Sequence, residues 1–192
     1  ADDLIKAKVS SAYLGKQAFT SVVNVRDIQV YVMGEAENPG LYTLSGNSNV
    51  LNALYIAAGI KESGSFRNIL LKRAGKVISS IDLYELFING NSAFGTRLRS
   101  GDVVLIPSTL NTAAIYGGVK RPFEYEFKDG ETVMDLISFA NGLTSSANKK
   151  TIKRIANNGD STLLSFDNLD KIKLGEKDSL FIANSLYKNC LL

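Results

Sequence analysis

Two stretches of this chain share one skeleton: "GEAENPGLY" from Gly34 to Tyr42 and "GGVKRPFEY" from Gly117 to Tyr125 place Gly, Pro and Tyr at the same relative positions, 83 residues apart. The same offset lays "VLNALYIAAGI" (Val50–Ile60) on "VMDLISFANGL" (Val133–Leu143), pairing Val50 with Val133, Leu54 with Ile137, Ala57 with Ala140 and Gly59 with Gly142. Farther on, "LRSGDVVLIP" (Leu98–Pro107) meets "LGEKDSLFIA" (Leu174–Ala183) with the offset reduced to 76. The second copy is therefore about seven residues shorter, and "YELFING" is where the loss is expected. Gapless agreement over three separated blocks marks an internal repeat. A chain of 192 residues built this way folds as two modules of ordinary size.

Local signals agree within each copy. "IQVYVMG" (Ile28–Gly34) is rich in β-branched and aromatic residues and predicts a strand. Residues 35–40 form a turn, with Pro39 fixing φ and Gly40 free to take a positive φ, and "LYTL" returns as a second strand. Asn47, Ser48 and Asn49 offer N-caps to a helix carrying Val50, Leu51, Leu54 and Ala57 on one face, which Gly59 ends. "NILLKR" and "VISSIDL" predict two strands around a turn at Ala74–Gly75, and "DVVLI" a last one. In the second copy residues 129–132 are the capping region, Val133, Met134, Leu136, Ile137 and Ala140 the apolar face, and Gly142 the stop. The expected fold class is α+β, each module a mixed sheet crossed by one main helix.

Bulk properties narrow the function. There are 22 basic and 19 acidic residues, a net charge of +3, too small to point to nucleic acid or an anionic membrane. The chain has no His, which removes Ser-His and Cys-His nucleophilic catalysis and His metal sites, and Cys190 alone makes no intrachain disulfide. No metal and no cofactor are expected, and no Walker-type phosphate loop occurs. Paired carboxylates would suffice for a glycosidase, but Glu35, Glu37, Asp102 and Asp178 fall in turns and at strand ends, where solvated charges are the simpler reading.

The two ends belong to neither copy. Leu4, Ile5, Val9, Ala12 and Tyr13 predict an amphipathic helix capped by Asp2 or Asp3, and "SVVNV" (Ser21–Val25) a strand. These elements are expected to dock on the first module or to close an upstream domain. At the other end the offset of 76 lays residues 184–192 on 108–116, so Cys190–Leu192 is expected either to begin a further module or to fray as a tail.

The pattern G-x-x-x-x-P-G-x-Y, a helix ending in "AAG", and "LRSGDVVLIP" together resemble the soluble ligand-binding β-grasp (SLBB) domain. In the first copy Gly34, Pro39, Gly40, Tyr42, Gly59, Gly101, Asp102 and Pro107 match; in the second Gly117, Pro122, Tyr125, Gly142 and Asp178 do. The second copy departs where Phe123 replaces the Gly after Pro122, Lys177 the Gly before Asp178, and Ala183 the closing Pro. Tandem copies after a helix and strand resemble the polysaccharide export proteins of Gram-negative bacteria. On that resemblance residues 1–27 end an upstream polysaccharide export domain, 28–110 and 111–183 are SLBB modules of the ubiquitin-like β-grasp type, and 184–192 is a linker or the start of another module. It further implies a passive periplasmic, outer-membrane-associated role in capsule or exopolysaccharide export. The partners would be the polysaccharide, further copies of the chain and an inner-membrane export component.

Each candidate residue has a structural reading beside its functional one. Asp102 and Asp178 are either ligand contacts or turn carboxylates accepting backbone N–H groups. Tyr42 and Tyr125 either stack on a sugar ring or fill space beside the helix. Arg67, Lys72 and Arg73, and Lys149, Lys150, Lys153 and Arg154, are charge-assisted donors for an acidic polymer or solvated faces. Between the fixed points the copies diverge: Glu35, Glu37 and Asn38 become Gly118, Lys120 and Arg121, which puts specificity or interface contacts there. Three functions stand in order: an assembly module of polysaccharide export, a sugar or small-molecule receptor, and a glycan-processing enzyme.

Overall fold

The computed structural model of the chain describes residues 2–12, 19, 26–91, 95–109 and 111–185. Helix α1 (Asp2–Ala12) comes first, then β1 (Asp27–Gly34), β2 (Gly40–Ser45), α2 (Val50–Ile56), β3 (Ile69–Arg73), β4 (Lys76–Ile81), α3 (Leu83–Phe87) and β5 (Val103–Ile106). The pattern repeats as β6 (Thr112–Gly117), β7 (Phe123–Glu126), α4 (Val133–Phe139), β8 (Thr151–Ile155), β9 (Ser161–Ser165), a single 3-10 turn at Phe166–Asn168, and β10 (Ser179–Ile182).

Each copy makes one five-stranded mixed sheet, ordered β2-β1-β5-β3-β4 and β7-β6-β10-β8-β9. The first and last strands of each copy, β1 with β5 and β6 with β10, run parallel at the centre, and the other pairings are antiparallel. The fold is α+β, two β-grasp-like modules in tandem. One face of each sheet is covered. Val30, Val32, Ile69, Leu71, Val104 and Ile106 pack with Val50, Ala53 and Leu54 of α2, and Ile115, Ile152, Leu180 and Ile182 with Val133, Leu136 and Ile137 of α4. Burying each such side chain contributes about 1.5–3 kcal/mol, and strict alternation along the strands aims them all at the helix.

The repeated residues are those the backbone needs. Gly34 and Gly117 sit at φ +80° and +85°, and a Cβ on either would lie 2.1 Å from the carbonyl oxygen of Ile106 or Ile182 on the neighbouring parallel strand. Both helices start on capping boxes, Asn49 with Asn52 and Thr132 with Asp135. They end with the N–H of Gly59 donating to Leu54 O and that of Gly142 to Ile137 O, both at 2.9 Å.

Several expectations need correction. Gly40 has no positive φ: it is extended and paired with Val32 in β2, so the turn needs its left-handed residue at Gly34 instead, and Phe123 fits the matching place in β7 without strain. The α2 helix stops at Ala57, with Ala58 at φ +64° ahead of Gly59. The "YELFING" segment holds a helix, α3, capped by Asp82. The connection around it is indeed the shortened one, since residues 82–102 join β4 to β5 but only 166–178 join β9 to β10. Helix α1 begins at Asp2, which places Asp3 inside its first turn rather than as a cap, and it exposes Leu4 and Ile5. Tyr13, the strand at 21–25 and the segment 190–192 lie outside the described residues.

Candidate functional site

Within each module the repeated polar residues close on one another. The Tyr42 hydroxyl donates to Asn38 O at 2.5 Å and the Tyr125 hydroxyl to Arg121 O at 2.7 Å, so each motif tyrosine staples its own turn. Glu37, Asn38, Lys120 and Arg121 are exposed at the tips of these turns. Asp102 and Asp178 are buried before the last strand. Asp102 accepts from Arg99 N at 2.8 Å and from Arg73 Nε and Nη2 at 2.7 and 2.8 Å. Burial pushes its carboxyl up, but the fork from Arg73 and the Arg99 N–H outweigh this and hold it below the ordinary value of 3.8. Asp178 accepts from Gly175 N at 2.7 Å and pairs with Arg154 Nη2 at 2.7 Å.

The two arginines come from different rungs. Arg154 pairs with Leu180, the place Leu71 holds opposite Val104, whereas Arg73 lies two residues farther along β3. Arg154 reaches its aspartate end-on, and its buried Nε has no hydrogen-bond partner among the described residues. Gly101 precedes Asp102 at φ +85°, and Lys177 takes φ +60° at the matching place, sending its ammonium to Thr112 Oγ1 and Glu124.

The densest polar constellation lies between the modules. Arg67 is 5% exposed. Its Nε and Nη2 donate to Asp82 Oδ2 at 3.2 and 3.1 Å, and its Nη1 to Glu131 Oε2 at 2.5 Å. The planar guanidinium lies 4.7 Å from the ring centre of Tyr84 and 4.9 Å from that of Phe139. Asp82 and Tyr84 belong to the first module, Glu131 and Phe139 to the second, so one side chain bridges both.

Glu126 answers from β7. Its Oε1 accepts from Ser65 Oγ at 2.6 Å and its Oε2 from Phe66 N and Arg67 N at 2.8 and 3.2 Å, while its own N–H donates to the Tyr84 hydroxyl at 3.0 Å. Lys128 Nζ reaches back to Asp82 at 2.7 Å. Tyr84, Phe139, Tyr125 and Phe123 form a chain of edge-on and tilted rings beside this network. Desolvation pushes the Tyr84 hydroxyl up to about 12. Burial also pushes the Asp82 carboxyl up, but hydrogen bonds from Lys128 and Arg67 outweigh it and leave it below 3.8.

This joint was not legible beforehand except through Arg67. Asp82, Tyr84, Glu126, Glu131 and Phe139 carried no motif, and the available signal was that "YELFING" has no counterpart in the second copy. Beside the joint runs an open cleft of about 400 Å³, lined by Asn68, Pro107, Ser108, Asn111, Lys128 and Asp129 among others. Lys72 and Lys153 lie elsewhere, on the sheet faces turned away from the helices. Among the described residues no group of three or more His, Cys, Asp or Glu is placed to hold a metal ion, and no helix is long and apolar enough to cross a membrane.

Comparison with known proteins agrees with the repeat. One SLBB domain family profile matches residues 28–106, and a second matches residues 112–163. Two curated proteins, both described as polysialic acid transport protein KpsD of Escherichia coli, are each 29% identical over 140 residues, covering 71% of this chain and 25% of the relative. The chain thus spans about a quarter of the length of those relatives. With two SLBB domains in tandem over residues 28–163, the chain belongs to the SLBB-domain proteins, and it is similar along 71% of its length to polysialic acid transport proteins.

Proposed function

We propose that the chain is a non-enzymatic part of the apparatus that carries a capsular or extracellular polysaccharide through the periplasm and outer membrane of a Gram-negative bacterium. The observation that carries this reading is the joint: Arg67, Asp82, Glu126 and Glu131 go into locking two modules into one body. A rigid two-module arm of this kind suits assembly with further copies and contact with an inner-membrane export partner, while other surfaces meet the passing polymer. The relatives' description as polysialic acid transport proteins favours a charged surface polymer as cargo. The test is deletion of the gene in its host, followed by measurement of surface polysaccharide. The reading expects surface polymer to fall with polymer retained inside the envelope; unchanged surface polymer refutes it.

A receptor is the second reading, favoured by the cleft beside the joint, because clefts between domains are common ligand sites and Asn68, Ser108 and Asn111 can meet hydroxyl groups. Calorimetric titration with neutral mono- and disaccharides tests it. Saturable binding that disappears in Asn111→Leu would favour the receptor; no heat with any of them would exclude it.

A further inference from the structure

The helix side of each sheet is buried, but the opposite side carries side chains that neither module uses. In the second module the strand register aligns one row across four strands: Tyr116 pairs with Phe181, Phe181 with Lys153, and Lys153 with Leu163. All four face away from α4, since their neighbours Ile115, Leu180, Ile152 and Leu164 turn toward the core. Tyr116 is 46% exposed, Phe181 49% and Leu163 74%. Lys153 is exposed and, among the described residues, has no carboxylate or hydrogen-bond partner. The first module repeats the theme on a different rung: Leu41, Tyr31, Val103, Lys72 and Val77 align across all five strands, again with a lysine that has no partner among the described residues. The rungs differ, so the aromatic–lysine row is not a by-product of the repeat.

We infer that the open sheet face of the second module is a contact surface for an acidic polysaccharide, with Tyr116 and Phe181 as a stacking platform and Lys153 as the carboxylate partner. This rests on the export reading and adds where on the chain the polymer touches. The row spans three inter-strand steps of about 4.8 Å, roughly the length of two to three sugar rings. Adjacent aromatic rings present a flat apolar surface that suits the C–H face of a pyranose, and a free ammonium supplies a charge-assisted hydrogen bond to its carboxylate. A protein partner fits less well. The cores of protein interfaces are depleted in lysine, and here the lysine sits mid-row, between Phe181 and Leu163.

The experiment is titration of the full chain, followed by amide shifts in NMR, with an oligogalacturonate hexamer and with neutral maltohexaose. The acidic hexamer is expected to shift residues of β6, β8 and β10 around Tyr116, Lys153 and Phe181, more weakly at higher salt, and the neutral one to shift them little. Lys153→Ala is expected to weaken binding about fivefold, the scale of one exposed ion pair, and Lys153→Glu to abolish it. Phe181→Ala is expected to weaken both oligosaccharides alike. Equal binding of the two hexamers, shifts confined to the cleft beside the joint, or concentration-dependent self-association through this face would each overturn the inference. Lys153→Glu in cells separates the two readings. If deleting the gene removes surface polymer but Lys153→Glu does not, this face is refuted and the export reading stands; if deletion has no effect, the export reading itself fails.

Discussion

Replacing Arg67 with alanine removes a buried side chain that ion-pairs with a carboxylate of each module, and the cost can be worked from its contacts. Its guanidinium donates to both carboxylate oxygens of Asp82, to Glu131 and to Glu126 O, and packs on Tyr84 and Phe139. Removing one partner of a fully buried ion pair costs about 3–5 kcal/mol because the remaining charge is stranded. Two features reduce that here. Asp82 keeps Lys128 at 2.7 Å, and Glu131 keeps the Lys128 N–H at 2.8 Å and is 21% exposed. The lost cation–π contact adds about 0.5–2 kcal/mol, which leaves a net of roughly 2–4 kcal/mol. The assay is urea unfolding followed separately at each module, for instance by amide NMR signals. The wild type is expected to unfold in one transition, because the joint couples the modules, and Arg67→Ala to split it in two. Arg67→Lys keeps the charge but loses the fork, and is expected to fall between them. A loss under about 0.5 kcal/mol, the range of a surface substitution, with a single transition intact, would refute the claim that this residue holds the modules together.

Other consequences follow from the same contacts. Asp82 and Asp102 are held below their ordinary 3.8, so an unfolding chain takes up protons at these groups before the folded one does. Stability from them is fully present above about pH 4 and is lost as pH falls through their lowered folded values, which acid titration of the midpoint checks. Tyr84 is shifted the other way. Its contribution holds below about pH 10 and drains away as pH rises through about 12, and its absorbance near 295 nm should titrate after the exposed tyrosines, a delay that Tyr84→Phe removes. Gly34→Ala drives a Cβ to 2.1 Å from Ile106 O and is expected to cost over ~3 kcal/mol, while Gly101→Ala meets no atom within 4 Å and is expected to cost only the ~1 kcal/mol of a left-handed backbone. Thermal melts of the two variants, if equally affected, would refute that distinction.

What the sequence disclosed and what it withheld have a common cause. Strand, turn and helix positions were legible because they rest on local pattern, and the repeat doubled each signal. The glycine of the motif was legible as needed but misplaced by one turn: Pro39–Gly40 looks like the positive-φ site, whereas the carbonyl of Ile106 across the sheet makes Gly34 the residue that cannot change. The joint was hidden for the opposite reason. Arg67 meets Asp82 fifteen residues on and Glu131 sixty-four residues on, in a contact that occurs once and so gains nothing from the repeat. Its one trace was an asymmetry, the α3 segment present in a single copy, which supplies Tyr84. Likewise, Arg73 and Arg154 stood out as free cations in the sequence, yet each lies on a buried aspartate that only the last strand brings near.

Structure and function meet at the joint, and the decisive measurement is surface polysaccharide in cells whose full-length protein carries Arg67→Ala at wild-type abundance. If export depends on the two modules acting as one body, surface polymer falls toward the level of the gene deletion, and Arg67→Lys recovers part of it. Wild-type surface polymer in Arg67→Ala cells, with the modules shown to unfold separately, would contradict the account.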